Sequence, residues 1–337
     1  MSNYPESTVS LRAALIGCGK IGSEFADDPL IKGIYTHAGA WRACSGVDLA
    51  AVCDADPERA RRCAERWNVA RWYVDPATML EDARPDIVSI CTPDATHSAL
   101  LEQAIGSTAT RAVLMEKPLA LSLEEARRAV DQAARHGVLL GVNYSRRYSP
   151  GHQALRERIR QGALGDIQSI GGHYTKGTLH NGTHWFDLAR FLIGEVAQVR
   201  GFDRLHEVSP DPTLDVWMKF SSGPLAYLHG LNAADYSLFE MDILGSRGRI
   251  RIVDSGHGFE TFMVGDSPHY TGYQTLLPHG REDGRLEDTL LYAAQDLVAS
   301  LKTGRSPLCS GEDALLALAV GLAAHASAKL GGEPRML

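Results

Sequence analysis

Residues 11–22, Leu-Arg-Ala-Ala-Leu-Ile-Gly-Cys-Gly-Lys-Ile-Gly, run a short apolar segment straight into a Gly-x-Gly-x-x-Gly turn, and this junction restricts the fold more than any other part of the chain. In such a turn Gly17 permits the sharp reversal after the strand. Gly19 lets a ligand reach the backbone, and Gly22 lets the next element pack close. The spacing is that of a dinucleotide-binding fingerprint, in which the helix after the turn points its N-terminus at the pyrophosphate. Gly17, Gly19, Lys20, Ile21 and Gly22 are therefore expected to contact the cofactor. A second apolar run, Leu49–Cys53, ends at Asp54, a carboxylate suited to a ribose 2′-hydroxyl and repelled by a 2′-phosphate. That favours NAD; Arg59, close by in sequence, can face a 2′-phosphate, so NADP stays open. Asp54 lies further past the turn than the usual spacing of about 20 residues. The extra length points to an insertion from Asp27 to Tyr35 at the rim of the cofactor cleft.

A chain of 337 residues outgrows a single core, so two domains are expected. A net charge of −7 argues against a nucleic-acid footprint. The first ten residues lack a basic start followed by an apolar stretch, the mark of a secretory leader. The longest apolar region, Ala314 to Leu322, is too short to span a bilayer, so no membrane partner is expected. The six cysteines, Cys18, Cys44, Cys53, Cys63, Cys91 and Cys309, show no Cys-x-x-Cys spacing and read as small buried hydrophobes in a reducing, cytoplasmic compartment.

Short apolar strands alternate with helical stretches through the first part of the chain, the pattern of a doubly wound parallel sheet. Strands are expected at 13–16, 49–53, 87–91, 112–115 and 138–142. Helices are expected at 57–67, at 95–105, and after a capping box at Ser122–Glu125 as far as His136. Beyond Asn143 the periodicity changes. A helix at 152–161 is followed by strands at 166–174, 196–202, 214–220, 225–231, 239–244 and 250–253, with one helix at 183–193 docked on them. The expected class is α/β, with a doubly wound sheet in residues 1–142 and an α+β substrate and oligomerisation domain with an open, mostly antiparallel sheet in residues 143–310. A last helix within 311–337 is expected to pack back near the first domain. An open antiparallel sheet leaves one face needing cover, which points to pairing with another subunit.

Three further motifs sit where chemistry belongs. Thr92-Pro93 to His97 follows a buried strand, at the edge where ligands bind in open α/β sheets; the same Thr-Pro also reads as a plain helix start. Glu116-Lys117-Pro118 ends the next strand, placing a lysine to reach into the cleft, although a lysine on a loop is more often merely solvated. His180-Asn-Gly-Thr-His184-Trp-Phe-Asp187 opens a helix on whose surface His180, His184 and Asp187 share a face. This third motif has three readings. A metal site lacks the expected glutamate and any cysteine, and no metal is assigned. Asn181 or Thr183 is a natural helix cap. His184 as an acid/base, titrating near neutrality, is the favoured reading. Arg146 and Arg147 present guanidinium forks suited to a phosphate or carboxylate, or else to partner carboxylates of the chain itself.

Taken in order, the glycine turn, Thr92-Pro93 to His97, Glu116-Lys117-Pro118, Asn143-Tyr-x-Arg146-Arg147 and Gly182-Thr-His184-x-x-Asp187 resemble the glucose–fructose oxidoreductase/inositol dehydrogenase (Gfo/Idh/MocA) family over almost the whole chain. The resemblance implies a Rossmann domain, a C-terminal sheet used in oligomer contacts, and NAD(P)-linked hydride transfer at a hydroxyl or keto carbon of a sugar, inositol or sugar nucleotide. It places Lys117 and His184 in catalysis, Thr92, Pro93, His97, Glu116 and Asn143 around the cofactor, and Arg146, Arg147, Tyr148, His180 and Asn181 toward the substrate. His180 stands where many members carry aspartate, which implies an altered proton relay or substrate contact. Two other activities use the same fold: NAD-assisted glycoside hydrolysis and non-catalytic dinucleotide sensing. Retention of both Lys117 and His184 counts against the sensor.

Overall fold

The apolar runs of the first part pair as parallel strands: β1 (Leu11–Ile16), β2 (Val47–Cys53), β3 (Trp72–Tyr73), β4 (Ile87–Ile90), β5 (Ala112–Met115) and β6 (Leu139–Val142). In the computed structural model, which describes residues 10–337, they lie in the order β3-β2-β1-β4-β5-β6. This order reverses between β1 and β4, the switch point of a doubly wound sheet, and ligands bind outside the C-terminal strand ends there. The residues read above for a leader lie outside the described ones. β4 and β5 are buried along their whole length, as a sheet covered on both faces requires. At about 1.5–3 kcal/mol for each large apolar side chain, that burial is the main force holding the sheet.

The crossovers are α1 (His37–Ala43), α2 (Pro57–Trp67), α3 (Pro76–Ala83), α4 (His97–Gly106) and α5 (Leu123–His136). Local chemistry sets their ends. Asp56 accepts from the Glu58 and Arg59 amides ahead of Pro57, so α2 begins where the sequence predicts. Ser122 accepts from Glu125 N and donates to its carboxylate, and Gly137 closes α5 at φ +66°. β3 is only two residues long and carries no periodic signal, which is why sequence reading missed it.

The second unit carries α6 (Ser145–Tyr148), α7 (Pro150–Arg160), β7 (Ile167–Tyr174), α8 (Thr183–Ile193), β8 (Val196–Phe202), β9 (Asp215–Phe220), β10 (Leu225–Gly230), β11 (Phe239–Gly245), β12 (Gly248–Val253), β13 (Gly258–Asp266) and β14 (Gln274–Asp283). After them come α9 (Thr289–Thr303), α10 (Gly311–Ala328) and β15 (Arg335–Met336). The nine-stranded sheet runs β14-β13-β12-β11-β7-β10-β9-β8-β15 and is antiparallel except where β7 and β10 pair. β13 and β14 were not foreseen: β14 is exposed along nearly its whole length, so it lacks the apolar alternation that marks a half-buried strand.

The chain divides into two compact units, residues up to Ser145 with Glu287–Glu312, and Arg146–Leu286 with Asp313–Leu337. This differs from the expected division at the C-terminus. α9, unforeseen, returns to the first unit and packs on α1, β5 and β6. The last helix only begins there, where Ser310 bridges to Gly141; from Asp313 onward it belongs to the second unit. The reason is the close approach at Gly201 on β8: a Cβ there would lie 2.1 Å from Ala324 O, and Ser327 Oγ accepts from Gly201 N at 3.0 Å. Among the described residues no helix is long and apolar enough to cross a membrane.

Candidate functional site

In the first unit the glycine turn is fixed by its neighbours. Gly17 donates to Cys53 O at 2.8 Å and adopts φ +96°; a Cβ there would meet Cys91 C and O at 2.7 Å. A Cβ on Gly22 would lie 2.1 Å from Gly17 O, whereas Gly19 faces open space. These are the constraints expected of the three glycines. The helix is different. The turn leads into a 3₁₀ segment, Glu24–Asp27, and the first α-helix begins only at His37. Its leading amides are already satisfied: His37 N and Ala38 N donate to Ile21 O and Gly22 O at 3.0 Å, and Gly39 N donates to the Thr36 cap. The inserted residues separate turn from helix, so the backbone amides left open to an anion here are those of the turn itself. Among the described residues nothing accepts from the amides of Gly19, Lys20 or Ile21, and successive unpaired amides of this kind make an anion-binding concavity.

Asp54 ends β2 with its carboxylate buried and fixed: Oδ2 accepts from Cys18 N at 2.8 Å and Oδ1 from Asp56 N at 2.9 Å. Arg59 Nη1 lies 3.4 Å from Oδ1, and its guanidinium also faces Glu24 and Asp56. With three carboxylates around it, this arginine does not offer a 2′-phosphate an electropositive pocket. A carboxylate with spare lone pairs suits a ribose hydroxyl.

Thr92 and Pro93 follow β4, and Pro93 opens a 3₁₀ turn, Asp94–Thr96, ahead of α4. His97 was expected at the cofactor, but it is fully buried, with Nδ1 2.7 Å from Pro118 O and Nε2 2.9 Å from Thr92 O. Both ring nitrogens are occupied by backbone, so its contribution is to hold the Thr92 loop to the turn that carries Lys117. Lys117 is half-buried at the end of β5, and its peptide bond to Pro118 is cis.

Glu116 points inward. Its Oε1 lies 3.1 Å from His37 Nε2 and accepts from Asn143 Nδ2 at 2.6 Å. Burial alone would raise this carboxyl, but the bonds from His37 and Asn143 and the charge of Lys117 hold it below the usual range, so it is ionised at neutral pH. His37 Nδ1 lies 3.1 Å from Ser89 Oγ, which also accepts from Trp41 Nε1 at 2.7 Å. Sequence reading missed His37, Ser89 and Trp41. The available signal was Ser89, the one hydroxyl in the apolar run Ile87-Val-Ser-Ile90.

In the second unit, a π-helical turn, Gly177–Gly182, precedes α8, and such turns are frequent at functional sites. It is entered through Lys176 and Gly177 at φ +68° and +81°. Asp211 anchors it, accepting from Leu179 N and His180 N at 2.8 Å and lying 3.1 Å from His325 Nε2. Thr178 Oγ1 donates to Pro212 O at 2.6 Å. Neither expected cap acts as one: Asn181 Nδ2 donates to Thr175 O, and Thr183 Oγ1 to Leu179 O. His180 is exposed and His184 half-buried at the head of α8, while Asp187 is buried against Arg147. The three do not share one face, because the π turn alters the spacing and Asp187 is drawn into the core.

Two of the substrate candidates are packed into the second unit. Arg147 is buried, bidentate to Asp187 and 3.0 Å from Asp313, which is the partner-carboxylate reading. Tyr148 is 1% exposed and belongs to the packing. Arg146 is half-buried, stacks 3.7 Å over the Phe239 ring and donates to Ser255 O at 2.6 Å.

Comparison with known proteins matches two family models to this chain. Residues 11–144 match the oxidoreductase family, NAD-binding Rossmann fold (Gfo/Idh/MocA), and residues 156–334 match that family's C-terminal alpha/beta domain. The chain belongs to this family. Myo-inositol 2-dehydrogenase of Thermotoga maritima is 26% identical, covering 94% of this chain and 96% of its own length. Scyllo-inositol 2-dehydrogenase (NAD(+)) of Bacillus subtilis is 26% identical, covering 95% of each. A levoglucosan dehydrogenase solved with NADH and L-sorbose superposes with a TM-score of 0.81 at 18% identity, covering 97% of this chain and 98% of that one, and shares the fold. As an oxidoreductase of this family, the chain has a first unit that fits a dinucleotide: open space at Gly19, unpaired turn amides, a fixed Asp54 carboxylate, and a buried Asn143 Oδ1 with no partner among the described residues.

Proposed function

We propose that this protein is an NAD-dependent dehydrogenase that interconverts a secondary hydroxyl and a ketone on a sugar or cyclitol. The observation that carries the reading is that one edge of the six-stranded sheet bears the glycine turn, Asp54, Lys117 and Asn143, each at a strand's C-terminal end. Bound there, NAD supplies the hydride acceptor. In the oxidation direction His184 is the residue assigned to accept the hydroxyl proton, and Lys117 the hydrogen-bond donor that stabilises developing negative charge. His180 and Asn181, beside His184 in the π turn, orient the substrate's other hydroxyls, and Arg146 contributes a cation. Phe202 and Tyr227, both substantially exposed on the nine-stranded sheet, support assembly into a homodimer or homotetramer through that sheet. All six cysteines are buried free thiols, which supports a reducing, cytoplasmic setting.

The test is NADH formation, with NAD and NADP compared, against a panel of free sugars, inositols, sugar phosphates and sugar nucleotides. A signal with NAD on one polyol class supports the reading. Release of free sugar from a glycoside without net NADH would replace it with NAD-assisted hydrolysis, and cofactor binding with no turnover on any compound would replace it with dinucleotide sensing.

A further inference from the structure

The π turn Gly177–Gly182 begins, like any helical turn, with backbone amides that have no partner within it. One neighbouring segment takes them in succession. Gly177 N donates to Thr213 Oγ1 at 3.0 Å and Thr178 N to Pro212 O at 3.2 Å. Leu179 N and His180 N donate to the two oxygens of Asp211, each at 2.8 Å. The cap that neither Asn181 nor Thr183 supplies therefore comes from residues 211–213, beginning 32 residues beyond Leu179.

Asp211 is itself held from α10. His325 Nε2 is enclosed, lies 3.1 Å from Asp211 Oδ1 and has no other hydrogen-bond partner among the described residues. An ionised carboxylate can only accept, so His325 turns its Nε2 proton toward Asp211. Burial alone would raise the Asp211 carboxyl, but His325 and the two amides hold it below its usual range and ionised at neutral pH. One turn earlier on α10, Gly321 lies against the same π turn: a Cβ there would stand 2.8 Å from Leu179 Cδ2. Gly321 and His325 are four apart, so the helix face they share is the one packed on the turn.

We infer that Asp211 and, acting through it, His325 are positioning residues for His184, which opens α8 directly after this turn. This rests on the reading of His184 as the proton acceptor. Asp211 fixes the leading amides, so the wider winding of the π turn persists to Gly182 and sets the direction in which α8 starts. Without that carboxylate two buried donors lose their acceptor, and the segment relaxes toward ordinary α winding. The start of α8 then rotates, and the His184 ring with it.

Steady-state oxidation of the polyol that responds in the panel above, with NADH titration, thermal unfolding and amide hydrogen exchange of the full-length protein, tests the inference. Asp211→Ala should lower kcat about 100-fold and His325→Leu about tenfold, with the NADH Kd within about twofold, because a misplaced base costs rate without touching the cofactor. Exchange at the Leu179 and His180 amides should quicken in both. His325→Gln, which can still donate to Asp211, should recover most of the His325→Leu loss. Ser327→Ala removes a different hold on α10, the one to Gly201 N, and should lower stability while kcat stays within about twofold. Should Asp211→Ala not fold, the two His325 variants carry the test. An unchanged kcat or unchanged exchange in His325→Leu, no recovery in His325→Gln, or an equal fall in Ser327→Ala overturns the inference and leaves the dehydrogenase reading intact. Unmodified protein that oxidises no polyol overturns that reading, and the role of His184 with it.

Discussion

Asp187 accepts from Arg147 Nε at 2.9 Å on both oxygens and from Nη2 at 2.9 Å, with the two side chains 2% and 7% exposed. A paired charge at this depth becomes a liability when its partner is removed. Arg147→Met should destabilise the protein by roughly 3–5 kcal/mol, and Arg147→Lys, which cannot keep the bidentate geometry, by a substantial part of that. Pairing Arg147→Met with Asp187→Leu should restore much of the loss. Urea unfolding of the three variants checks this. A rise in KM at unchanged stability would instead return Arg147 to the substrate.

What the sequence disclosed follows from where each signal is written. β5, α2, α5 and α8 match their expected bounds because caps and apolar runs are local. Residues that act through distant partners left weaker traces. Arg147 read equally well as a substrate fork or as a partner for the chain's own carboxylates, and Asp187 and Asp313, far away in sequence, are the groups that pair with it. His97 lies in a motif at a ligand edge, yet two backbone carbonyls occupy it. His37 sits beyond an insertion that detached it from the glycine turn, so no spacing rule reached it. The orphaned oxygen of Asn143 depends on Glu116 and is visible only in three dimensions.

Lys117 stands half-buried on a turn that His97 holds at Pro118 O and Thr92 O. Lys117→Met keeps most of the side chain's volume and removes the donor. Turnover should fall by at least about 100-fold, the scale of losing one donor to a developing oxyanion, while NADH affinity stays within a few-fold. Steady-state rates alongside NADH titration decide it, and near-normal turnover would remove Lys117 from the chemistry.

Asp54 is tied at both oxygens by backbone amides, and Asp54→Asn removes the charge together with one of the two acceptors. The kcat/KM preference for NAD over NADP should fall about tenfold or more, as the repulsion of a 2′-phosphate is lost. Comparing the two cofactors at saturating substrate measures it. An unchanged ratio would place the ribose elsewhere.

His152 is fully buried, with Nδ1 2.9 Å from Ser149 Oγ and its ring edge-on to Phe259 at 4.8 Å. Burial, with Arg146 beside it, pulls its pKa from 6.5 down to about 3. Below pH 6.5 the unfolded chain therefore binds a proton that the folded protein refuses. This contribution to stability is present above pH 6.5 and is lost as pH falls toward 3, at up to about 1.4 kcal/mol per pH unit. Unfolding free energies at pH 7.5 and 5.5 should drop more in the natural protein than in His152→Gln, by about 1 kcal/mol. Parallel slopes would show that His152 protonates freely in the fold.

The three glycines of the turn should fail in different ways when replaced by alanine. Gly17→Ala sets a side chain at φ +96° against the Cys91 backbone, and Gly22→Ala drives one into Gly17 O. Backbone cannot yield as a flexible side chain does, so both should cost more than about 2 kcal/mol of stability. Gly19→Ala meets no atom within 4 Å and should fold with unchanged stability. Its methyl group instead occupies the space left for the pyrophosphate, so NADH and ADP-ribose should weaken together, by about tenfold or more. That joint loss is the mark of a phosphate contact, because ADP-ribose retains both phosphates and lacks only the nicotinamide. Denaturation together with titration of both ligands provides the measurement, and a stable Gly19→Ala protein with unaltered affinities would move the phosphates away from this turn.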